Sequence, residues 1–369
     1  MKRTVGALLA ALAVAACGGA TSASNGASSR AYSLTVALPW PNKPPVCCMM
    51  EPAAKDLGYY KRQNLDVTFV NVSTASAGTI QTLVAGRADV AGAAVAAGIG
   101  AYAAGTTDIR YIGGELNSNP SLTHQKWYFG AKTSINTVAD LKGKRIGLVT
   151  GPNPTDPGYV QIHALLASAG LTDKDVTWVV AGTQDARAQA LVAGRIDFTT
   201  IPMEMSYILT PANGLHLVAF DPVGANMGWG GCECWFTTAA ALKDPERREA
   251  ITRFVVATMQ MIRDLVKSQA TFKKAMGLYL DMSQETSQSI ENTWSYERVQ
   301  YQANGCMNLT EMTAWFDNVY LKSINPSANG KVRLRQVVDP SIVKAALSRI
   351  GLDRTAYWDP PQLTFPAGS

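Results

Sequence analysis

The sequence predicts an α/β protein of two similar lobes followed by a helical C-terminal region, and two observations carry that prediction. The first is an internal repeat. Gln81-Thr82-Leu83-Val84-Ala85-Gly86-Arg87-Ala88-Asp89 returns as Gln189-Ala190-Leu191-Val192-Ala193-Gly194-Arg195-Ile196-Asp197, with seven of nine positions identical at an offset of 108 residues. A period of that length is far too long for a solenoid. The second is that each copy follows a strand, helix, strand pattern, and strands alternating with helices of ten to fifteen residues call for parallel α/β sheets.

The elements follow in order. Ser33–Leu38 and Lys144–Val149 read as the first strands of the two units, and Leu65–Val70 and Asp175–Val180 as the second. In each repeat copy an apolar helix end meets Gly86 or Gly194, which suits a left-handed C-cap, before Asp89 or Asp197 leads into a new element. After Trp235 the pattern turns helical. Asp244-Pro245-Glu246 supplies a cap, a Pro at the first helical position and an acid in the first turn. Ile251, Val255, Met259, Ile262 and Val266 then form a packing stripe. Further helices are expected near 269–279, 284–292, 310–322 and 340–350, and the Pro-containing tail from Trp358 to Ser369 reads as irregular.

The N-terminal residues read differently. Lys2 and Arg3 precede twelve uncharged, mostly apolar residues, Val5 to Ala16, a run too short to span a bilayer. This is the pattern of an export signal, 1–16. Val14-Ala15-Ala16-Cys17 resembles the bacterial lipobox, whose Cys is acylated and becomes the mature N-terminus. Residues 17–30, rich in Gly, Ala and Ser, read as a flexible tether. The remaining 353 residues carry 31 basic and 28 acidic side chains, a balance that points to no nucleic-acid partner. That length exceeds what one core usually fills, in line with two lobes. Five cysteines accompany Cys17, namely Cys47, Cys48, Cys232, Cys234 and Cys306, and an odd number cannot all pair within one chain.

Ordered motifs then carry a family resemblance. They are Gly58-Tyr59-Tyr60-Lys61 with Asn64-Leu65-Asp66-Val67, the block ending at Asp89, Asp140-Leu141-Lys142-Gly143-Lys144-Arg145-Ile146-Gly147, the block ending at Asp197, and Asp244-Pro245-Glu246. Together they resemble the periplasmic-binding proteins of ABC importers, in the branch that takes nitrate, sulfonates, taurine and thiamine-pyrimidine precursors. The resemblance implies a type II two-lobed fold with two crossing strands and C-terminal helices. Lobe one would hold 31–126 and 236–369, and lobe two 132–230, with crossings at Trp127–Ala131 and Cys234–Thr238. It further implies a lipid-anchored extracytoplasmic protein that clamps a small solute for an ABC permease, with no cofactor, no metal and no catalysis.

In open α/β sheets ligands lie at the carboxyl ends of strands. That rule points in lobe one to the loop from Pro39 to Met50 and to 73–78, and in lobe two to 150–155 and 182–184. Trp40-Pro41-Asn42 resembles the Trp-x-Pro-Asn start of the pyrimidine-precursor binders, without the spacer residue and the following His. Pro202-Met203-Glu204 falls where those proteins carry Asn-His-Glu, with only the Glu kept. The expected ligand-binding residues are Trp40, Asn42, Cys48, Ser73, Thr74, Thr150, Thr183, Glu204 and Trp229, with Cys17 the lipidation site. Trp40 would stack on a heterocycle and Glu204 accept from an aminopyrimidine edge. Ser73, Thr150 and Thr183 equally suit ordinary N-caps, and Glu204 equally suits a cap.

The cysteines leave alternatives open. Cys47-Cys48-Met49-Met50 and Gly230-Gly231-Cys232-Glu233-Cys234-Trp235 are expected to border one cleft. A disulfide from the 47/48 pair to 232, 234 or 306 is one reading, and a soft-metal site the other. A sulfonate or nitrate receptor and a pyrimidine-synthase-like enzyme are the remaining alternatives. His124, His163 and His216 are scattered, and His163 sits in a helical packing pattern.

Overall fold

A computed structural model describes residues 31–40, 42–72, 75–116, 127–154, 156–201, 205, 208–220, 233–355 and 361–367. It has two five-stranded mixed sheets with helices on their faces. The first half runs β1 (Tyr32–Leu38), α1 (Met50–Asp56), α2 (Tyr59–Arg62), β2 (Leu65–Asn71), α3 (Ala75–Val84), β3 (Val90–Ala94), α4 (Val95–Ala103) and β4 (Ile109–Leu116). The second sheet takes β5 (Trp127–Lys132), β6 (Arg145–Leu148), β7 (Thr177–Val180), β8 (Phe198–Thr200) and β9 (Leu215–Phe220), with α5 (Pro157–Ser168) and α6 (Gln184–Val192) as crossovers. Then β10 (Glu233–Thr238) returns to the first sheet.

The strand orders are β2-β1-β3-β10-β4 and β7-β6-β8-β5-β9, one pattern used twice. In each sheet three parallel strands are followed by one that arrives from the other half of the chain, antiparallel to both neighbours. The expected crossings, Trp127–Ala131 and Cys234–Thr238, fall on those two strands. The chain passes between the sheets within 117–126 and 221–232, outside the described residues.

The repeat acts at the same place in both sheets. Gly86 and Gly194 have φ of 68° and 66°, the left-handed conformation that Gly adopts without steric cost. Gly86 N–H donates to Leu83 O and Arg87 N–H to Thr82 O; Gly194 N–H donates to Leu191 O and Arg195 N–H to Ala190 O. Both are the paired bonds of a Schellman cap. The repeat aspartates then pin the first strands: Asp89 Oδ2 accepts from Thr35 N–H at 2.8 Å, and Asp197 Oδ2 from Arg145 N–H at 2.9 Å.

The C-terminal region supplies α7 (Ala239–Lys243), α8 (Pro245–Lys267), α9 (Gln269–Met276), α10 (Ser287–Glu297), α11 (Leu309–Trp315), α12 (Leu334–Val337) and α13 (Ser341–Ile350). Asp244 caps α8 by accepting from Glu246 and Arg247 N–H, with Pro245 at the first helical position. Ile251, Val255, Met259, Ile262 and Val266 are all buried, joining Leu34, Val36, Met50, Tyr60 and Phe254 in the core on one face of the first sheet. Ile80, Ile99, Phe236, Phe316 and Tyr320 form the core on its other face. The helix expected over 310–322 is α-helical only to Trp315 and continues as wider π-helical turns over Phe316–Ile324, in which Phe316 and Tyr320 stack at 5.7 Å. The second sheet is likewise covered on both faces, by Leu165 and Leu166 of α5 on one and Ala188 and Leu191 of α6 on the other. Sheets buried on both faces fit parallel strands with helical crossovers. Among the described residues no helix is long and apolar enough to cross a membrane.

Candidate functional site

In the first sheet the chain order reverses between β1 and β3, since β2 lies on one side of β1 and β3 on the other. A crevice opens at such a switch point. A small pocket, open to solvent on one side, lies there, lined by Leu38, Pro39, Trp40, Cys48, Glu51, Gly92, Glu115 and Cys234. They come from strand ends, from the middle of β3 and from the turn and helix start that follow β1. Leu38 closes β1 and Trp40 follows, both Cys47 and Cys48 sit in the short 3-10 turn Val46–Cys48, and Glu51 lies in the first turn of α1. Gly92 lets the Leu38 side chain pack directly against β3, because a Cβ there would stand 2.6 Å from Leu38 Cδ2.

Two carboxyls dominate the pocket. Glu51 and Glu115 are each 2% exposed. The indole of Trp235, itself fully buried, donates to Glu51 Oε1 at 2.7 Å. Trp235 is held edge-on against Phe254 at 5.7 Å. Burial pushes the Glu51 carboxyl up, opposed by its hydrogen bonds to Glu115 and Trp235. Burying one carboxyl beside another disfavours the charged form of each. The Glu115 backbone carbonyl accepts from Gln302 N–H at 2.7 Å, tying the end of β4 to the C-terminal region. Tyr60 lies near both carboxyls; burial, then the Glu51 charge, raises its phenol well above the usual range, and its hydroxyl pairs with Thr258 Oγ1 at 3.0 Å. Among the described residues the lining contains no Lys, Arg or His.

The strand ends of the second sheet are organised by other means. Asp156, the N-cap of α5, accepts from Gly158 and Tyr159 N–H and also from Thr150 N–H at 2.7 Å and Thr150 Oγ1 at 3.1 Å. Thr183 caps α6 by accepting from Ala186 N–H at 3.3 Å. Beneath this loop lies Arg187, 4% exposed, whose guanidinium donates to Gly182 O at 2.9 Å and to Thr200 O at 3.4 Å. Burial lowers its pKa to about 10, against the favourable charge of Asp156.

Of the residues expected from sequence, the structure brings Trp40 and Cys48 into the pocket, and Cys234 joins them from the other cysteine segment. Asn42 is exposed and does not line it. Thr150 and Thr183 lie at the second sheet's strand ends, both exposed; Asp156 rather than Thr150 caps α5. Ser73, Thr74, Glu204, Trp229 and Cys17 lie outside the described residues, as do Cys232 and His124. Cys47 and Cys48 Sγ are 3.0 Å apart, and Cys306 is buried elsewhere. No group of three or more His, Cys, Asp or Glu side chains among the described residues is placed to hold a metal. His163 pairs with Asp173 at 2.9 Å, and His216 Nε2 lies 2.7 Å from Ile135 O. Glu51, Glu115 and Arg187 escaped the sequence reading. For Glu51 a signal existed, since it follows directly on the cleft loop Pro39 to Met50 named by the strand-end rule; for Glu115 and Arg187 none did.

The doubly wound sheets and a pocket at the switch point define a two-lobed periplasmic-binding-protein fold. The chain belongs to the NMT1/THI5 like family, whose sequence model matches residues 50–271. Among solved structures it is similar to a protein of Bordetella bronchiseptica RB50, at 16% identity and a TM-score of 0.66, covering 86% of this chain and 98% of that one. It is also similar to the alkanesulfonate-binding protein SsuA from Xanthomonas axonopodis pv. citri bound to MOPS, at 20% identity and a TM-score of 0.60, covering 84% and 98%. A third is the periplasmic aliphatic sulphonate binding protein SsuA from Escherichia coli, at 18% identity and a TM-score of 0.57, covering 84% and 92%. No curated protein matches the chain.

Proposed function

We propose that this protein is the extracytoplasmic solute-binding component of an ABC importer, anchored through a lipid on Cys17, and that it clamps a small aminopyrimidine or similar heterocycle between its lobes. The observation that carries this reading is the pocket at the β1/β3 switch point, where Trp40 stands beside two buried carboxyls. An aromatic wall with a few convergent polar groups is what small-molecule pockets generally use. In this scheme lobe one comprises 31–126 and 236–369 and lobe two 132–230. Thr150 and Thr183, at the second sheet's strand ends, together with Ser73, Thr74, Glu204 and Trp229, are the further ligand contacts this scheme calls for, and closure populates the form that a permease recognises. The protein acts by capture and release of an unchanged ligand, not as an enzyme.

A second reading is favoured by the sulfonate-binding proteins that share the fold. Against it stands the lining itself, because an anion beside two buried carboxyls is opposed by their charge. Thermal-shift screening of the purified chain against aminopyrimidines, alkanesulfonates, nitrate and copper separates these. At a ligand concentration of 100 times Kd the stabilisation is about 2.7 kcal/mol, easily read. A shift with aminopyrimidines is expected; a shift with alkanesulfonates alone replaces the heterocycle reading, and one with copper alone replaces the organic-solute reading. Cys17→Ser is expected to move the mature protein from the membrane to the soluble fraction, and an unchanged distribution removes the anchor.

A further inference from the structure

Taking the clamp of the two lobes as above, we propose that Val160 is its latch. The first turn of α5, a helix of the second sheet, seats this side chain in the apolar layer of the first sheet and biases the lobes toward the closed arrangement. Val160 is 2% exposed. Its buried apolar neighbours on α5, namely Tyr159, Ile162, Leu165 and Leu166, belong to the core of the second sheet. Val160 belongs instead to the cluster of the first sheet that holds Ile99 of α4 and Phe316, Val319 and Tyr320 of the π-helical turns. α5 packs against both α4 and those turns. Two consecutive residues of one helical turn, about 100° apart around its axis, are thus buried in different cores. The Tyr159 ring stands edge-on to Trp178 at 5.4 Å and its hydroxyl donates to Asp173 at 2.7 Å, which fixes the side of α5 that faces its own sheet.

The turn that carries Val160 is firmly mounted. Asp156, 1% exposed, caps α5 through Gly158 and Tyr159 N–H and also takes up Thr150 N–H and Oγ1. Its backbone carbonyl accepts from Val160 N–H at 3.0 Å. The receiving surface lies at the matching place in the first sheet, since α4 begins directly where β3 ends and α5 follows the loop after β6. The contact therefore sits beside the strand ends, where ligands of such sheets lie, yet it uses no residue that lines the pocket. The π-helical turns that help to receive Val160 are a rare geometry that gathers at functional sites. An apolar side chain whose partners belong to the other moving body is buried only while the two bodies are together, so its burial favours the closed population. Fully burying a Val side chain shifts such a ratio by about tenfold or more.

Small-angle scattering and amide hydrogen exchange on the purified full chain test this. Val160→Asp puts an acid in the first turn of α5, where the helix itself favours it, but a carboxylate cannot stay charged inside the apolar cluster. The variant is expected to have a larger radius of gyration than the wild type. Its exchange is expected to quicken about tenfold in α4 and 316–324 while the second sheet keeps its protection. Ile162→Val, two residues along α5 in the core of the second sheet, is expected to lower stability and to leave the radius of gyration unchanged. Should Val160→Asp fail to fold, Val160→Ala, which drops two buried carbons, reads the same shift, at about tenfold in the ratio of open to closed protein. An unchanged radius of gyration in the folded variant overturns the latch, and so does faster exchange spread over the second sheet, which would make Val160 an ordinary core residue. The clamp fails separately. If 4-aminopyrimidine binds Val160→Asp without returning the radius of gyration to the wild-type value, the clamp is overturned and the latch stands.

Discussion

The two sheets share one strand order but treat their strand ends in opposite ways. At the first, acids are buried around a cavity: Glu51 and Glu115 meet Trp40, Cys48 and Cys234. At the second, the polar groups close on one another: Asp156 takes up Thr150 and the α5 amides, and the guanidinium of Arg187 braces the 182–183 loop and Thr200. What the two halves share is scaffold, namely the left-handed Gly caps and the aspartates that pin the first strands. The lesson is that duplication fixes the frame, while the chemistry sits on loops and strand ends that are free to differ.

The comparison can be broken hardest at the packing of the first sheet. A Cβ at Gly98 would stand 2.2 Å from the buried Phe236 ring, an atom with no room to give. Gly98→Ala is expected to cost about 3 kcal/mol by chemical denaturation, at the upper end for overpacking. A loss under about 1 kcal/mol would show that α4 shifts freely on the sheet.

The next test separates the two repeat aspartates. Asp197 accepts from Arg145 N–H, takes the Arg145 guanidinium through two bonds at 2.8 and 2.9 Å, and pairs with Lys132 at 2.6 Å. Asp89 accepts from Thr35 N–H and pairs with Arg247 at 2.9 Å. Asp197→Asn is therefore expected to cost about 2–3 kcal/mol and Asp89→Asn about 1 kcal/mol. The Arg145 guanidinium, with Lys132, also holds the Asp197 carboxyl well below the usual carboxylate range. A depressed folded-state pKa gives stability that is complete above the unfolded value of about 4 and is lost as pH falls toward the folded one. Between pH 7 and about 4 the difference between wild type and Asp197→Asn should hold constant, then shrink in more acidic solution. A difference that already shrinks at neutral pH would contradict the assignment.

Smaller effects sharpen the contrast at the strand ends. Trp235→Phe keeps the ring and deletes the donor to Glu51. It is expected to lower stability by about 1–2 kcal/mol and to weaken ligand in the pocket. Thr183→Ala removes the α6 cap and should cost about 0.5–1 kcal/mol. If Thr183 serves only as that cap, ligand affinity stays unchanged; a tenfold loss would place its hydroxyl on the ligand.

Much of the frame was legible in the residues because it is written in short-range rules. Strand β3 begins at Val90 and β8 at Phe198, as the 108-residue offset of the repeat requires. Asp244-Pro245 starts α8, and its stripe is buried. These follow from turn stereochemistry, capping and helical periodicity, each of which acts over a few residues. The site was legible only in part: the strand-end rule found Trp40 and Cys48, but not the acids that line the same pocket. Glu51 and Trp235 are 184 positions apart, and Glu115 reaches them from a strand separated from β1 in the sheet by β3 and β10. No local pattern distinguishes a Glu that faces water from one that the packing of α1, β4 and β10 encloses. The sequence by itself determined two copies of one α/β frame. Only the tertiary structure decided that one frame would bury a pair of carboxyls in a pocket and the other would tie Asp156 to Thr150 and Arg187 to the 182–183 loop, because burial and pairing are properties of neighbours brought together by folding.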